Sequence, residues 1–365
     1  MKKKTLMGDP TITMVVNSLI KLPTPVSISY LWNMGFILGM ILMMQIVTGL
    51  VLSMNYIPET NMAFESVMHT MRDIEMGWLM RYLHMNMASL FFMMMYVHIS
   101  RGLYFESPKK MPMVWISGLL ILLCSMGAAF LGYVLPWGQM SFWGATVITS
   151  MLSAIPYVGK KMTLWLWGNF SVSQPTLNRF FSMHFLLPLL LLVLIMAHLA
   201  LLHKTGSSNP MGVQPNADKM KFFPYFMVKD MTPFMMMLVA SFILISISPN
   251  LLSDVENFSK ASMETTPTHI QPEWYFMFAY AILRSIPSKL GGVVAMLMSI
   301  LILLVPMLTK TKMNKKHMPF KKLMFWMFVS TVIILTWVGM NPVEEPFMMM
   351  GQMSAVLYFS LILFM

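Results

Sequence analysis

The sequence predicts an all-α polytopic membrane protein with eight membrane-spanning helices, the first four of which form a four-helix bundle. Of the 365 residues, 57% are hydrophobic and only 11% are charged, which is far from the balance of a soluble domain. Eight apolar stretches are long enough to cross a hydrocarbon core of about 30 Å. Helices follow because lipid cannot satisfy exposed backbone groups. The eight segments are 34–54, 78–104, 113–134, 177–203, 231–248, 290–309, 323–341 and 347–365.

The net charge of +11 is explained by membrane topology rather than by nucleic-acid binding, because the basic residues lie between the apolar segments. With both termini on one side, that side holds 17 of the 25 basic residues and four acidic ones. The opposite side holds ten acidic residues. Since loops on the cytoplasmic or matrix side are enriched in Lys and Arg, we expect both termini there.

Two further segments are predicted to lie at the membrane surface. Residues 11–22 have the pattern of an interfacial helix, with a plain N-terminal tail as the alternative, and residues 137–175 are too broken to span. The spans divide into an N-terminal bundle over 1–212 and a C-terminal four-span region over 213–365.

Two pairs of histidines share one spacing. His84 and His98 in the second span are 14 residues apart, as are His184 and His198 in the fourth. Fourteen helical residues make about four turns and rise about 21 Å, so each helix presents two imidazoles on one face. The two spans run in the same direction, which levels His84 with His184 near the outer surface and His98 with His198 near the inner surface.

This pattern favours two bis-histidine haems, because haem iron takes axial ligands on opposite faces of the macrocycle. Cys124 is the only cysteine, which excludes a disulfide within the chain and a CxxCH attachment site. Any haem is therefore a non-covalent b-type haem. The alternative is a set of hydrogen-bonded bundle residues or a proton relay.

Glycines repeat the same spacing on the first and third spans. Gly35 and Gly49 are 14 residues apart, and so are Gly118 and Gly132. Since these spans run opposite to the histidine helices, Gly49 and Gly132 fall at the outer level and the other two at the inner level. Missing side chains there would admit a flat macrocycle; ordinary helix packing is the alternative.

Two arginines lie three residues outside histidines of the second span. Arg81 precedes His84 and Arg101 follows His98. We expect them to pair with haem propionates through charge-assisted hydrogen bonds. Snorkelling of a helix-end side chain is the alternative.

Several motifs make the chain similar to the mitochondrial cytochrome b family over nearly its whole length. The motifs are Arg81-Tyr82-Leu83-His84, His98-x-x-Arg101-Gly102, the run from Gly132 to Thr146, Pro272-Glu273-Trp274-Tyr275 and Leu283-Arg284-Ser285-Ile286-Pro287. The resemblance implies a catalytic subunit of respiratory complex III in the mitochondrial inner membrane. It also implies ubiquinol and ubiquinone as substrates, a homodimeric complex, and a Rieske iron–sulfur protein, cytochrome c₁ and other complex III subunits as partners.

The resemblance further implies two quinone pockets. The outer one, for quinol oxidation, would comprise Phe130, Tyr133, Met140, Gly144, Ile148, Pro272, Glu273, Tyr275, Phe276 and Tyr280. The inner one, for quinone reduction, would comprise Trp32, Asn33, His203, Ser207, Lys229 and Asp230.

Four of these residues are expected to be catalytic. Quinol oxidation releases protons, so Glu273 is expected to accept one beside Tyr275. His203 and Asp230 are expected to supply protons for quinone reduction. The alternatives are an ordinary loop acid at 273 and a polar loop edge for the inner pair.

Three positions depart from the family pattern. Met85 and Met87 stand where Ala and Gly are usual, and Phe36 replaces a small polar residue near the inner pocket.

Two other functions remain open from the sequence. One is a di-haem subunit of another membrane oxidoreductase, which would not need the Pro272-Glu273 loop, and the other is a transporter with a histidine proton relay.

Overall fold

Long helices dominate the computed structural model, which describes residues 16–212, 216–308 and 319–365. A short antiparallel pairing joins β1 (Pro23–Pro25) to β2 (Lys219–Lys221). The main helices are α1 (Met34–Ser53), α2 (Ala63–Arg72), α3 (Gly77–Tyr104), α4 (Pro112–Val134), α5 (Gln139–Ser150), α6 (Gly159–Trp167), α7 (Gln174–Thr205), α8 (Tyr225–Ile247), α9 (Met277–Ser285), α10 (Lys289–Leu301), α11 (Pro319–Gly339) and α12 (Phe347–Phe364).

Seven helices within the described ranges are long and apolar enough to cross a membrane. They comprise α1 with the 3₁₀ turn before it, α4, α7, α8, α10 with its continuation to Leu308, α11 and α12. The eighth predicted span is α3, whose 28 residues extend about 42 Å. Its polar residues, among them Arg81, Asn86 and Arg101, make it less apolar than the others. The count of eight spans stays a prediction.

Helix boundaries differ from the predicted ones where a helix extends beyond its apolar run. Helix α8 begins at Tyr225, ahead of the predicted 231, so Lys229 and Asp230 lie in its first two turns rather than in a loop. Charged side chains are tolerated near the end of such a helix because they can reach the interface.

Two short helices occupy segments that were predicted to be loops. Helix α2 lies within residues 55–80, and α9 lies within the loop that was expected to continue to about residue 287. Helix α9 is nine residues long and is buried at seven of them. A hydropathy scan for spans misses both helices because each is too short to cross a membrane.

The remaining predicted segments are described in part. Helices α5 and α6 are the short helices expected over residues 137–175, while their position at the interface stays a prediction. Within the expected interfacial helix, Val16–Ile20 form one π-helical turn and residues 11–15 lie outside the described residues. The predicted division at residue 212 falls beside residues 213–215, which are also outside them.

The structure shows where the three side chains that depart from the family pattern lie. Met87 is 1% exposed and its sulfur contacts the hydroxyl of Ser241 on α8. Phe36 meets Phe234 edge-to-face, with ring centroids 6.2 Å apart. Both side chains therefore fill the junction of the N-terminal helices with α8. Met85 instead lines a cavity described below.

Helices α9 and α11 approach closely because of one glycine. A Cβ on Gly339 would lie 2.5 Å from the carbonyl oxygen of Met277, and backbone cannot move aside as a flexible side chain can. Met277 begins α9 and directly follows the 3₁₀ turn Trp274–Phe276. This contact therefore anchors the segment that carries Glu273.

We expect Gly339→Ala to destabilise the folded protein by about 1–3 kcal/mol, the usual cost of overpacking. The measurement is the thermal unfolding midpoint of the detergent-solubilised protein. Gly351→Ala is the matched control, because its new Cβ would lie at ordinary contact distances, 3.4 Å from a methyl of Val338 and 3.8 Å from Cβ of Ser285. Equal midpoints for the two variants would contradict the anchoring contact.

Candidate haem and quinone sites

The outer histidine pair faces across the bundle between α3 and α7. The ring centroids of His84 and His184 are 6.2 Å apart, with planes at 89°. Since histidine–metal bonds are about 2 Å long, this separation has room for one metal atom between two ring nitrogens.

Glycines lie directly beside these rings. A Cβ on Gly49 would be 3.0 Å from Cε1 of His84, and one on Gly132 would be 2.4 Å from Cε1 of His184. The second distance is far below any real contact, so the present position of the His184 ring requires glycine at 132. The outer pair is thus held against the backbones of α1 and α4.

Glycines also lie beside the two inner histidine rings, with slightly more room. A Cβ on Gly35 would be 3.4 Å from Cε1 of His98, and one on Gly118 would be 3.4 Å from Cε1 of His198. In contrast, among the described residues, no atom outside the neighbouring backbone of α1 lies within 4 Å of the Cβ position of Gly39. The glycines at the 14-residue spacing therefore lie against histidine rings, whereas Gly39 on the same helix does not.

The order of these contacts fixes the helix directions. Along α1 the contacts run from Gly35 at His98 to Gly49 at His84, so α1 and α3 are antiparallel. The corresponding contacts make α4 and α7 antiparallel as well. The structure thus places Gly49 and Gly132 beside the outer histidine pair and Gly35 and Gly118 beside the inner pair, while the predicted clearance for a macrocycle stays a prediction.

Some ring contacts involve residues that the sequence did not single out. Each is a hydrogen bond to a ring Nδ1 atom. Thr48 Oγ1 lies 2.9 Å from Nδ1 of His84, the Ala128 carbonyl oxygen lies 2.8 Å from Nδ1 of His184, and Ser117 Oγ lies 2.8 Å from Nδ1 of His198. The only sequence signal is that Thr48 and Ser117 each precede a spaced glycine.

Two cavities, of about 170 and 380 Å³, meet at the outer histidine pair. Both are lined by Arg81, Gly132 and the two imidazoles. The smaller also reaches Tyr133, Glu273 and Tyr275. Space around the imidazoles is therefore continuous with the segment carrying the candidate proton acceptor.

Glu273 has an unusual ionisation equilibrium. Burial raises the pKa of its carboxyl to about 7, a hydrogen bond from Tyr133 opposes the rise, nearby Asp254 adds to it and Arg81 opposes it. A carboxyl with a pKa near 7 can both accept and release a proton under physiological conditions.

The aromatic residues after Glu273 form a rigid wall. The Tyr275 ring stacks on Phe92 at 4.3 Å with planes 8° apart, and Phe276 packs edge-on against Tyr275 at 4.6 Å. Tyr96 donates a hydrogen bond to the Tyr275 carbonyl. Tyr275 is therefore held from two directions.

The other predicted members of the outer pocket do not line these two cavities. Their grouping into one quinol pocket stays a prediction. The structure places them as follows: Phe130 against Phe180, Met140 fully buried, Gly144 beside open space, Ile148 and Pro272 half-buried, and Tyr280 with its hydroxyl 3.4 Å from the Ile270 carbonyl.

On the inner side, contacts join residues of the turn before α1 to α8. Asn33 Nδ2 donates to the Lys229 carbonyl at 2.6 Å, and the Lys229 ammonium lies 5.3 Å from the Tyr30 ring centroid. The Arg101 guanidinium lies 5.2 Å from the Trp32 ring centroid. Asn33 and Lys229 thus meet where the turn before α1 contacts α8, and Trp32 on the same turn lies against the end of α3.

The remaining inner candidates lie on other segments. Asp230 follows Lys229 in α8, His203 is in the last turn of α7, and Ser207 is in the loop after it. Their meeting in one pocket stays a prediction.

The donor atoms of the outer pair fit a haem, and the inner pair lies beside unpaired donors that suit an anionic group. In the part of the chain that the structure describes, no three His, Cys, Asp or Glu side chains converge on a metal position, and two imidazoles suit a metal whose remaining ligands come from a macrocycle. Near His98, Arg101 Nε and Trp32 Nε1 are buried, and neither has a hydrogen-bond partner among the described residues. Buried unpaired donors are costly, and an anionic substituent would supply the missing acceptor.

Comparison with known proteins decides the family. The family model described as "Cytochrome b/b6/petB" matches residues 19–206, and the model described as "Cytochrome b(C-terminal)/b6/petD" matches residues 260–359. The chain belongs to the cytochrome b family. A chain of a structure titled "Hyperthermophilic respiratory Complex III" is 30% identical with a TM-score of 0.91, over 98% of this chain and 96% of that one. Membership of the cytochrome b family implies b-type haem cofactors.

We expect Gly132→Ala to reduce the absorbance of the outer haem while the inner haem is retained, because the new methyl would displace the His184 ring. Reduced-minus-oxidised spectra of the membranes measure this. Gly39→Ala is the control and leaves both haems. Equal loss of both haems in Gly132→Ala would indicate generic helix packing instead of clearance for the ring.

Proposed function

We propose that this chain is the di-haem cytochrome b subunit of a respiratory complex III that oxidises ubiquinol at the outer site and reduces ubiquinone at the inner site. The observation that carries the proposal is the cavity that joins the His84–His184 pair to Glu273. The likeness to a chain of a respiratory complex III supports it.

At the outer site, Glu273 acts as the proton acceptor for a quinol hydroxyl. Its raised pKa makes it an effective base near neutral pH. Tyr133 donates a hydrogen bond to the carboxylate and orients it. The stacked ring of Tyr275 excludes water and presents an aromatic surface to the quinone ring.

At the inner site, the residues have the opposite task of delivering protons. Asp230 and His203 are the proposed donors, and Trp32, Asn33 and Ser207 line the pocket. The hydrogen bond from Asn33 to the Lys229 carbonyl sets the separation of the α1 turn from α8.

Haem bound at the two histidine pairs would supply one-electron transfer between the two levels. Moving one charge fully across the membrane costs about 2.3 kcal/mol per 100 mV of opposing potential. A second electron acceptor must therefore drive the reaction, and this chain, with one cysteine, cannot build a four-cysteine iron–sulfur site. We assign that role to a Rieske iron–sulfur protein and cytochrome c₁, alongside other complex III subunits in a homodimeric complex.

The proposed location is the mitochondrial inner membrane, with both termini on the matrix side. The excess of Lys and Arg on one side of the predicted topology supports this orientation. A single chain that matches both the N-terminal and the C-terminal family models supports an unsplit cytochrome b.

We expect Glu273→Gln to slow quinol oxidation roughly 10²-fold, because the amide is isosteric with the carboxylate but is not a useful base. The assay is quinol-driven reduction of cytochrome c by the complex in membranes, followed as a function of pH. In the unmutated protein the rate should rise with pH through about 7, as the carboxyl ionises. Haem spectra should be unchanged. A normal rate across the acid limb in the Gln variant would refute the proton-acceptor role.

We expect Asp254→Asn to move the acid limb of the same profile to lower pH. The negative charge of Asp254 raises the pKa of Glu273, so its removal leaves Glu273 ionised in more acidic solution. The maximal rate at high pH serves as the internal control. A limb that stays in place or moves to higher pH would contradict this electrostatic coupling.

A further inference from the structure

The hydroxyl of Thr48 has three hydrogen-bond neighbours and only one proton to donate. Two of them are backbone carbonyls of its own helix, Met44 at 2.8 Å and Gln45 at 3.3 Å, the acceptors that Thr and Ser often use within helices. His84 Nδ1 is 2.9 Å from the same oxygen. Because the hydroxyl proton is directed to a carbonyl, the oxygen accepts from the ring, and Nδ1 of His84 carries a proton. The lone pair of that ring is therefore on Nε2.

Ser117 repeats this arrangement at the inner level. Ser117 Oγ donates to the Val114 carbonyl at 2.9 Å and lies 2.8 Å from His198 Nδ1. The ring of His198 must then donate through Nδ1, which again leaves the lone pair on Nε2.

The partner ring at each level is held differently. His184 Nδ1 donates to the Ala128 carbonyl at 2.8 Å. Arg101 can only donate, so its guanidinium nitrogen, 3.3 Å from His98 Nδ1, places the proton of that ring on Nε2. Arg101 must therefore release Nδ1 before His98 can bind a metal through Nε2. Each histidine pair therefore has one ring held by a hydroxyl and one held by another group.

The two hydroxyls share a position relative to the spaced glycines. Thr48 directly precedes Gly49 on α1, and Ser117 directly precedes Gly118 on α4. The glycine lets the imidazole approach the helix backbone, and the preceding hydroxyl meets Nδ1 of the same ring. A hydroxyl–glycine pair thus forms a two-residue seat for an axial histidine.

We propose that Thr48 and Ser117 are positioning residues that set the tautomer and ring plane of one axial histidine for each haem, and so tune the two haems independently. This inference rests on the proposed di-haem function. A hydrogen bond accepted from Nδ1–H raises the basicity of the ligating nitrogen. A more basic ligand favours ferric iron, so loss of the hydroxyl should raise the reduction potential of that haem.

Four variants of the complex in its membrane test the proposal. Thr48→Val keeps the shape of the side chain and removes the hydroxyl, and Thr48→Ser keeps the hydroxyl. Ser117→Ala and Ser117→Thr form the second pair. Potentiometric titration of the haem absorbance gives both potentials in each variant, and low-temperature EPR reports the ligand geometry of each ferric haem.

Thr48→Val should increase the equilibrium constant for reduction of the outer haem by up to about tenfold, which raises its reduction potential by about 59 mV for one electron. The reduction potential of the inner haem should not change and serves as the internal control. Ser117→Ala should do the reverse, and the two hydroxyl-retaining variants should resemble the unmutated protein. If Thr48→Val lacks the outer haem altogether, its retention in Thr48→Ser supports the seat, and loss in both indicates packing and overturns it.

The outcomes separate this inference from the proposed function. Unmutated membranes without two low-spin haem signals would refute the di-haem function, and the seat with it. Two normal haems whose potentials and EPR signals are unmoved in Thr48→Val and Ser117→Ala would refute the seat alone. Equal shifts of both haems in either variant would also overturn it, because they would indicate a general structural effect.

Discussion

The contact between imidazole rings and glycine backbones is the constraint on which the N-terminal bundle depends. Each of four histidines lies against a glycine of the neighbouring antiparallel helix, and a methyl group at Gly132 would overlap the His184 ring. The glycines therefore let each imidazole lie directly against the backbone of the neighbouring helix. Helices in a membrane gain little from the hydrophobic effect, so close packing at small residues determines their register. Here the same small residues make room for the imidazole rings.

The chemistry at the outer level depends on how the Glu273 turn and α9 are positioned against the N-terminal bundle. Glu273 begins a short turn that continues into α9, and α9 is fixed by backbone contact between Met277 and Gly339. The carboxyl is thereby carried into a mostly apolar cavity that reaches His84. Burial favours its neutral form, and the Tyr133 hydroxyl favours its ionised form. These opposing effects leave the carboxyl near the midpoint of its titration at neutral pH, where proton exchange is easiest.

The sequence predicts the candidate site best where its residues repeat at a helical spacing. The 14-residue spacing of histidines and glycines predicts which residues share a face, because that geometry is local. Helix α9 was missed because nine residues carry too little periodicity to be distinguished from a loop. Thr48 and Ser117 were missed because hydroxyls in membrane helices usually satisfy themselves on their own backbone, and only tertiary structure brings a ring to them. The effect of Asp254 on Glu273 likewise arises from a loop conformation that no spacing rule predicts.

The central claim is that the four histidines act as two level pairs, and the most direct test is the haem content of single histidine variants. Reduced-minus-oxidised spectra would be recorded for membranes carrying His84→Leu, His184→Leu, His98→Leu or His198→Leu. The account predicts that the first two variants lose the same haem and keep the other, while the last two lose the one that remained. If His84→Leu and His98→Leu lost the same haem, the pairing across α3 and α7 would be wrong. Retention of both haems in any of the four variants would contradict axial ligation by that histidine.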